Sequence, residues 1–185
     1  MTLGPTVRVP WQALALLGLL LAGCTAPDAR TVGPLVGNLA PPFEVQPVDA
    51  PAWNLSAMQG KAVVLDLMGV NCGPCRVEMP HLLELAARRA NDTAFGLVSI
   101  DMASVFPSLG ARNDSEIRGF KAEFNATWPF APDTGGWVGR AYEPIALPTA
   151  VVVGPDGVIR AKHSGGTVTA DQFEADLAAA REAAS

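Results

Sequence analysis

Cys72-Gly73-Pro74-Cys75 sets two thiols one helical turn apart, a spacing that can close a disulfide and reopen it. An apolar run, Lys61 to Met68, leads into the pair, and a helix opens at it, with Pro80 eight residues past the first cysteine. Unpaired N–H groups and the helix dipole favour a thiolate at such a helix start. Cysteines placed this way have pKa values lowered from about 8.5 toward roughly 7 or below. Cys72 is then the nucleophile that attacks a disulfide. Cys75, one turn on and shielded, resolves the mixed disulfide. Pro74 removes a backbone N–H in the first turn, where its loss is cheap.

Two other uses of the pair compete with redox chemistry. A zinc site needs four ligands, and beyond this pair the chain has Cys24, His81 and His163. No second cysteine pair exists, so no resident metal is expected. A static disulfide is the other possibility. A soft-metal carrier, passing copper to a client through Cys72 and Cys75, is the alternative function.

Proton transfer needs a partner near the thiols. Asp66 interrupts the apolar run six residues before Cys72. A lone carboxylate there is costly to bury, and burial raises its pKa. It is a candidate base for the Cys75 proton; the plainer reading is a partly wet residue near a strand end. Glu78, three residues after Cys75, borders the same helix face and is either a second proton carrier or a solvated carboxylate.

These residues need a strand–turn–helix frame. Ala62–Met68 reads as a central strand covered on both faces. A helix is expected from about Pro74 to Ala90, with Cys75, Met79, Leu82 and Ala86 on its buried stripe. Phe43–Val45 and Ala52–Asn54 form a short hairpin, and Ser56–Gln59 one helical turn. Ala94–Ile100 is the next strand. Asn113-Asp114-Ser115-Glu116 has the form of a capping box before a helix carrying Ile117, Phe120 and Phe124. Trp137–Tyr142 is a short helix. Thr149–Val153 and Val158–Ala161 are strands joined by a Gly154-Pro155-Asp156-Gly157 turn. Thr169 caps a final helix with Phe173, Leu177 and Ala180. The order after the hairpin is β-α-β-α-β-β-α, an α/β fold with a mixed sheet.

At 185 residues the chain holds one domain and an N-terminal appendage. A net charge of −5 argues against nucleic acid as a partner. Arg8, the apolar run Trp11–Leu21 and then Leu21-Ala22-Gly23-Cys24 have the form of a secretory leader, too short for an ordinary span. The tetrapeptide resembles the lipobox of prokaryotic lipoproteins. That resemblance implies cleavage of residues 1–23 and a lipid on Cys24; an uncleaved N-terminal anchor is the other reading. Residues 24–38, rich in Pro, Gly and Ala, read as a linker, and 39–185 as the folded domain. Asn54, Asn91, Asn113 and Asn125 each begin an Asn-x-Ser/Thr triplet, the acceptor pattern for glycosylation.

From about Leu39 to the C-terminus the chain resembles the thioredoxin superfamily, in its exported, membrane-tethered TlpA/ResA-like branch. Cys72-Gly73-Pro74-Cys75 is similar to the superfamily active site. Arg76-Val77-Glu78-Met79-Pro80 is similar to the segment that follows it, and Asn54 to Lys61 to the lead-in to the central strand. Leu147-Pro148-Thr149, with the Pro155-Asp156-Gly157 turn, is similar to the cis-proline loop and its hairpin. The resemblance implies a thioredoxin-like mixed sheet flanked by helices, with an extra N-terminal β-hairpin. It places Asp66 at the buried aspartate, and implies a cis Pro148 that lines the partner surface with Gly73 and Pro74. It further implies a reductant of disulfides in exported proteins, such as apocytochrome c or copper-site cysteines. The Cys72–Cys75 disulfide is then the only redox group and there is no other cofactor. A membrane electron donor of the CcdA/DsbD type would recharge it on the outer face of the cytoplasmic membrane. Four positions depart from the pattern: Asn71 replaces the tryptophan before the first cysteine, Leu67-Met68 an aromatic pair, and Leu97 aligns with thioredoxin's lysine near the buried aspartate. Gly69 stands where peroxiredoxins keep a threonine, which speaks against that chemistry.

Overall fold

The computed structural model describes Met1 and residues 30–184. The leader-like run, the lipobox with Cys24 and the first part of the linker lie outside the described residues. No described helix is long and apolar enough to cross a membrane.

A five-stranded sheet carries the fold. Its middle strand is β3 (Ala62–Met68), in which all seven residues are buried. The continuous apolar run is the cause, because only a strand covered on both faces can use it. β4 (Phe95–Asp101) and β5 (Phe130–Pro132) extend the sheet in parallel on one side. β6 (Thr149–Val153) and β7 (Ile159–Ser164) extend it antiparallel on the other, giving the order β5-β4-β3-β6-β7. Four helices connect and flank these strands: α1 (Gly73–Arg88), α2 (Asp114–Glu123), α3 (Trp137–Tyr142) and α4 (Ala170–Glu182).

β5 is absent from the order expected from sequence. It is three residues long, flanked by Pro129 and ending on Pro132, so no alternating pattern can develop. Proline is tolerated there because β5 is an edge strand.

β1 (Glu44–Val45) and β2 (Trp53–Asn54) pair as a separate antiparallel hairpin. Phe43 stacks on Trp53 and meets Tyr142 edge-on, and the Tyr142 hydroxyl donates to Pro41 O at 2.8 Å. These contacts seat the hairpin on α3. Residues 30–38, expected as linker, fold back on β7: Gly37 N donates to Ile159 O at 2.9 Å, and Leu39 bridges both Val32 and Val158.

Caps fall where the side chains predict them. Asn113 Oδ1 accepts from Ser115 N and Glu116 N, and Thr169 Oγ1 from Gln172 N. Glu116 does not return the bond to Asn113, as a full capping box would; it accepts from Arg112 N instead. Asn54 Oδ1 accepts from Ser56 N and caps a 3-10 turn, Leu55–Met58. Asn125 takes a left-handed φ of 53° after α2. Three of the four Asn-x-Ser/Thr asparagines therefore have a local backbone role, which accounts for their presence without a glycan.

β3 passes into α1 through Gly69–Cys72. A Cβ on Gly69 would lie 2.4 Å from Leu109 O, so the backbone of residues 102–111 leaves no room for a side chain. Gly69→Ala is expected to cost about 1–3 kcal/mol in urea unfolding. Gly73→Ala, whose Cβ meets nothing within 4 Å, is expected to stay within about 0.5 kcal/mol.

Candidate active site

Cys72 and Cys75 form a disulfide, S–S 2.16 Å, with Cα atoms 5.3 Å apart. Cys72 is the N-cap of α1 in extended conformation, and its Sγ accepts from Cys75 N at 3.2 Å. The sulfur thus occupies the position a capping oxygen would take, in the field of the helix N-terminus. Pro74 sits in the first turn. The helix continues through Pro80, which leaves Arg76 O without its usual amide donor.

The expected difference in shielding between the two cysteines is not seen. Cys72 is 0% exposed and Cys75 3%. In the disulfide form both sulfurs are covered, the Cys72 sulfur lying over the Cys75 amide of the first helical turn. Gly73 and Pro74 are exposed beside them. Leu147–Pro148 is a cis peptide; Pro148 itself is buried, while Ile145 on the same loop is exposed.

Asp66 is fully buried rather than partly wet. Its cross-strand neighbour on β4 is Ser99, two residues past the Leu97 that the sequence comparison aligned with a lysine. Ser99 Oγ donates to Asp66 Oδ2 at 2.6 Å, and Trp128 Nε1 donates to Ser99 Oγ at 2.9 Å. Glu78 is also buried, on the same side of α1 as Cys75 and Met79. Its Oε1 accepts from Val168 N at 2.8 Å. Asp66 Oδ1 and Glu78 Oε2 have no hydrogen-bond partner.

Burial dominates the protonation of both acids. Loss of solvent pushes Asp66 up to about 7 against the opposing Ser99 bond. Glu78 is pushed up to about 8 by burial first and by the nearby Asp66 charge second, against the Val168 amide. Two interacting carboxyls in one dry space hold a proton near neutral pH. Asp66 lies on β3, which leads into the cysteine turn, and Glu78 on α1, three residues after Cys75.

Asp101 is a residue the sequence reading passed over. Buried at the end of β4, it accepts from Val70 N (3.1 Å), Ala103 N (3.1 Å) and Ala111 N (2.9 Å). Asn71 adds two bonds to the same loop, its amide to Leu109 O at 2.8 Å and its Nδ2 to Gly110 O at 3.0 Å. The turn before Cys72 is thus clamped to residues 102–111. Asp66 stands out in the sequence because it interrupts an apolar run; Asp101 falls just past the apolar run that ends at Ile100, where a carboxylate reads as the polar end of a strand.

His81 and His163 do not approach the pair as a ligand set. Among the described residues no cluster of three or more His, Cys, Asp or Glu is arranged to hold a metal ion. His163 Nε2 instead meets Asp176 Oδ2 at 2.7 Å.

A model of the AhpC/TSA family matches residues 36–162. The thioredoxin-like protein YneN of Bacillus subtilis is 28% identical over 148 residues, covering 80% of this chain and 82% of that protein. The thiol-disulfide oxidoreductase ResA of Bacillus thuringiensis subsp. konkukian is 27% identical over 139 residues, covering 75% of each. Among solved structures, StoA from Bacillus subtilis superposes with a TM-score of 0.62 at 20% identity, over 74% of this chain and 96% of that one. The thioredoxin domain of a thiol-disulfide oxidoreductase from Bacteroides vulgatus gives 0.65 at 22%, over 77% and 98%. At those identities the two structures speak for the fold. Gly69 has no space for the threonine of peroxiredoxins, as the contact with Leu109 O requires.

The two raised carboxyls set a pH dependence of stability. Their folded pKa values lie above the ordinary 3.9–4.3 of the unfolded chain, so the native state binds more protons between about pH 4 and pH 8. Their contribution is complete below pH 4, is lost as pH rises, and levels off above about 8. The melting temperature of the oxidised protein should fall from pH 5 to pH 9. Asp66→Asn should flatten that fall and raise the melting temperature at pH 8.5 by about 5 °C. An unchanged slope in a calorimetric pH series would show that Asp66 does not titrate in this range.

Proposed function

The chain belongs to the AhpC/TSA family of thioredoxin-like proteins and is a thiol–disulfide oxidoreductase, and from that premise we propose that it works outside the cytoplasm as a reductant of disulfides in exported proteins. The observation that carries this reading is the Cys72–Cys75 disulfide at the start of α1, with Asp66 and Glu78 buried behind it.

The cycle begins from the dithiol. Cys72 thiolate, favoured by the N-terminus of α1, attacks one sulfur of a client disulfide. One S–S bond breaks, a mixed disulfide forms, and the first client sulfur leaves as a thiolate. Cys75 then gives its proton to the Asp66–Glu78 pair and attacks the Cys72 sulfur. The second client sulfur leaves, and the enzyme disulfide closes. Two electrons and two protons pass from the enzyme dithiol to the client. Gly73, Pro74 and the Pro148 loop form the surface on which the client strand lies. The disulfide is returned to the dithiol by a membrane dithiol carrier, of the CcdA/DsbD type by analogy. No cofactor beyond the cysteine pair takes part.

The leader-like run and Leu21-Ala22-Gly23-Cys24 support export, with Cys24 as the lipid anchor, the residues between it and Arg30 as tether, and the catalytic domain extended to include residues 30–38, which pack on β7. Apocytochrome c and copper-site proteins are the client classes the branch resemblance favours. The alternative is a copper carrier that uses the same two thiols; among the described residues no group of three or more His, Cys, Asp or Glu is arranged around a metal.

Trapping tests the roles. Cys75→Ser should leave Cys72 joined to clients in a mixed disulfide that mass spectrometry identifies, while Cys72→Ser should capture none. The wild type should reduce insulin with dithiothreitol, and reduced Cys72 should alkylate with iodoacetamide at least about tenfold faster than free cysteine at pH 7. Capture by Cys72→Ser alone would reverse the assignment. Equal, slow alkylation at both positions would remove it.

A further inference from the structure

At the end of the sheet away from the disulfide, the segment Val32–Gly37 presents aliphatic side chains to solvent: Val32 is 56% exposed, Leu35 65% and Val36 59%. This segment is firmly held. Gly33 N donates to Leu39 O, Leu39 N to Thr31 O, Gly37 N to Ile159 O and Lys162 Nζ to Pro34 O. A fixed loop that keeps a cluster of apolar side chains in water marks an interaction site. Beside it opens a cavity of ≈ 270 Å³, lined by Val32, Leu39, Leu55, Met58, Val63 and Val153 among others.

The charge at this rim opposes that of the whole molecule. The chain carries −5 overall. Here Arg30 and Arg160 both contact one carboxylate, Asp156, at 2.6 Å each, and Lys61 lines the same cavity. Among the described residues, Arg30, Arg160 and Lys61 border the apolar patch together with Asp156. Apolar side chains rimmed by basic ones match an anionic lipid headgroup layer over acyl chains.

We propose that the Val32–Gly37 loop and the adjacent cavity dock the folded domain onto the surface of an anionic lipid bilayer. Arg30 lies six residues after Cys24, and at about 3.5 Å per residue that chain spans roughly 20 Å. A lipid on Cys24 would therefore hold this face within reach of the membrane; in this respect the proposal rests on the anchored reading. The cavity is lined by Lys61 and Val63 at the start of β3, and the disulfide follows its end at Met68. A seven-residue strand rises about 3.3 Å per residue, so the docked disulfide stands roughly 20 Å from the bilayer and faces away from it.

The test uses the full-length chain with photoreactive p-benzoylphenylalanine at position 36, in vesicles of phosphatidylcholine with and without phosphatidylglycerol. A phospholipid adduct is expected at position 36, rising several-fold with phosphatidylglycerol, and not from the same probe at position 145. Leu35→Glu should lower the adduct by about tenfold or more and leave insulin reduction unchanged. An adduct to protein, whether a membrane partner or residues 2–29 of this chain, overturns the proposal, as does equal lipid labelling at positions 36 and 145. Retention on the vesicles after a high-salt wash reports the anchor separately. A retained chain without a lipid adduct at 36 removes the docking surface alone. A chain that washes off but labels lipid at 36 removes the anchor and leaves the docking surface standing.

Discussion

The hydrogen bond from the Cys75 amide to the Cys72 sulfur, 3.2 Å long, is the contact on which the rest of the site depends. It makes a sulfur the cap of α1 and places it where the unpaired amides of a helix start favour negative charge. The contact requires the chain to leave β3 at Met68 and begin the helix at Gly73. Four residues must make that turn. They can do so because Gly69 lies against Leu109 O, Cys72 N donates to Gly69 O, and Val70 N is taken by Asp101. The electrostatics of one sulfur is therefore secured by a glycine with no room for a side chain and by a carboxylate on the neighbouring strand.

Behind that sulfur the core accepts two carboxyl groups where apolar side chains would be more stable. Each leaves one oxygen without a partner, and such an omission costs about 1–3 kcal/mol per group. The partners they do have are few and specific: the Ser99 hydroxyl, itself held by the Trp128 indole, for Asp66, and the Val168 amide for Glu78. Val168 lies just before α4, so the second acid ties α1 to the C-terminal helix. A purely structural role would favour complete pairing. Incomplete pairing leaves one oxygen of each acid able to take a proton, as the proposed role in thiol exchange needs.

Much of this was legible in the sequence because it rests on local signals. The apolar run of β3, the cap residues Asn113 and Thr169, the Pro155-Asp156-Gly157 turn and the cysteine spacing each act within a few residues of themselves. What escaped depends on distant contacts. β5 is too short to show a period and exists because β4 offers an edge. The Asp66 partner is decided by parallel register, which sets Ser99 and not Leu97 opposite it. The stripe of α1 runs through Glu78 and Leu85, where the spacing had favoured Ala86, because α4 packs beside that face. The cover over Cys72 arises from the disulfide and the surrounding fold, neither of which is written near residue 72.

Asn71 shows how a single departure from the family pattern redistributes a role. The resemblance would place tryptophan here, an aromatic surface immediately beside the disulfide. Asparagine instead turns its side-chain Nδ2 to Gly110 O, beside the bond from its backbone N–H to Leu109 O. Gly110 in turn packs so closely on Ala103 that a Cβ there would lie 2.4 Å from the Ala103 Cα. Asp101 closes the circuit by accepting from Val70, Ala103 and Ala111 together. The segment before the cysteines and the 102–111 loop are consequently one hydrogen-bonded unit. A client meeting the disulfide meets that unit rather than an isolated aromatic ring. Residue 71 serves as a fastening between the turn before Cys72 and the 102–111 loop.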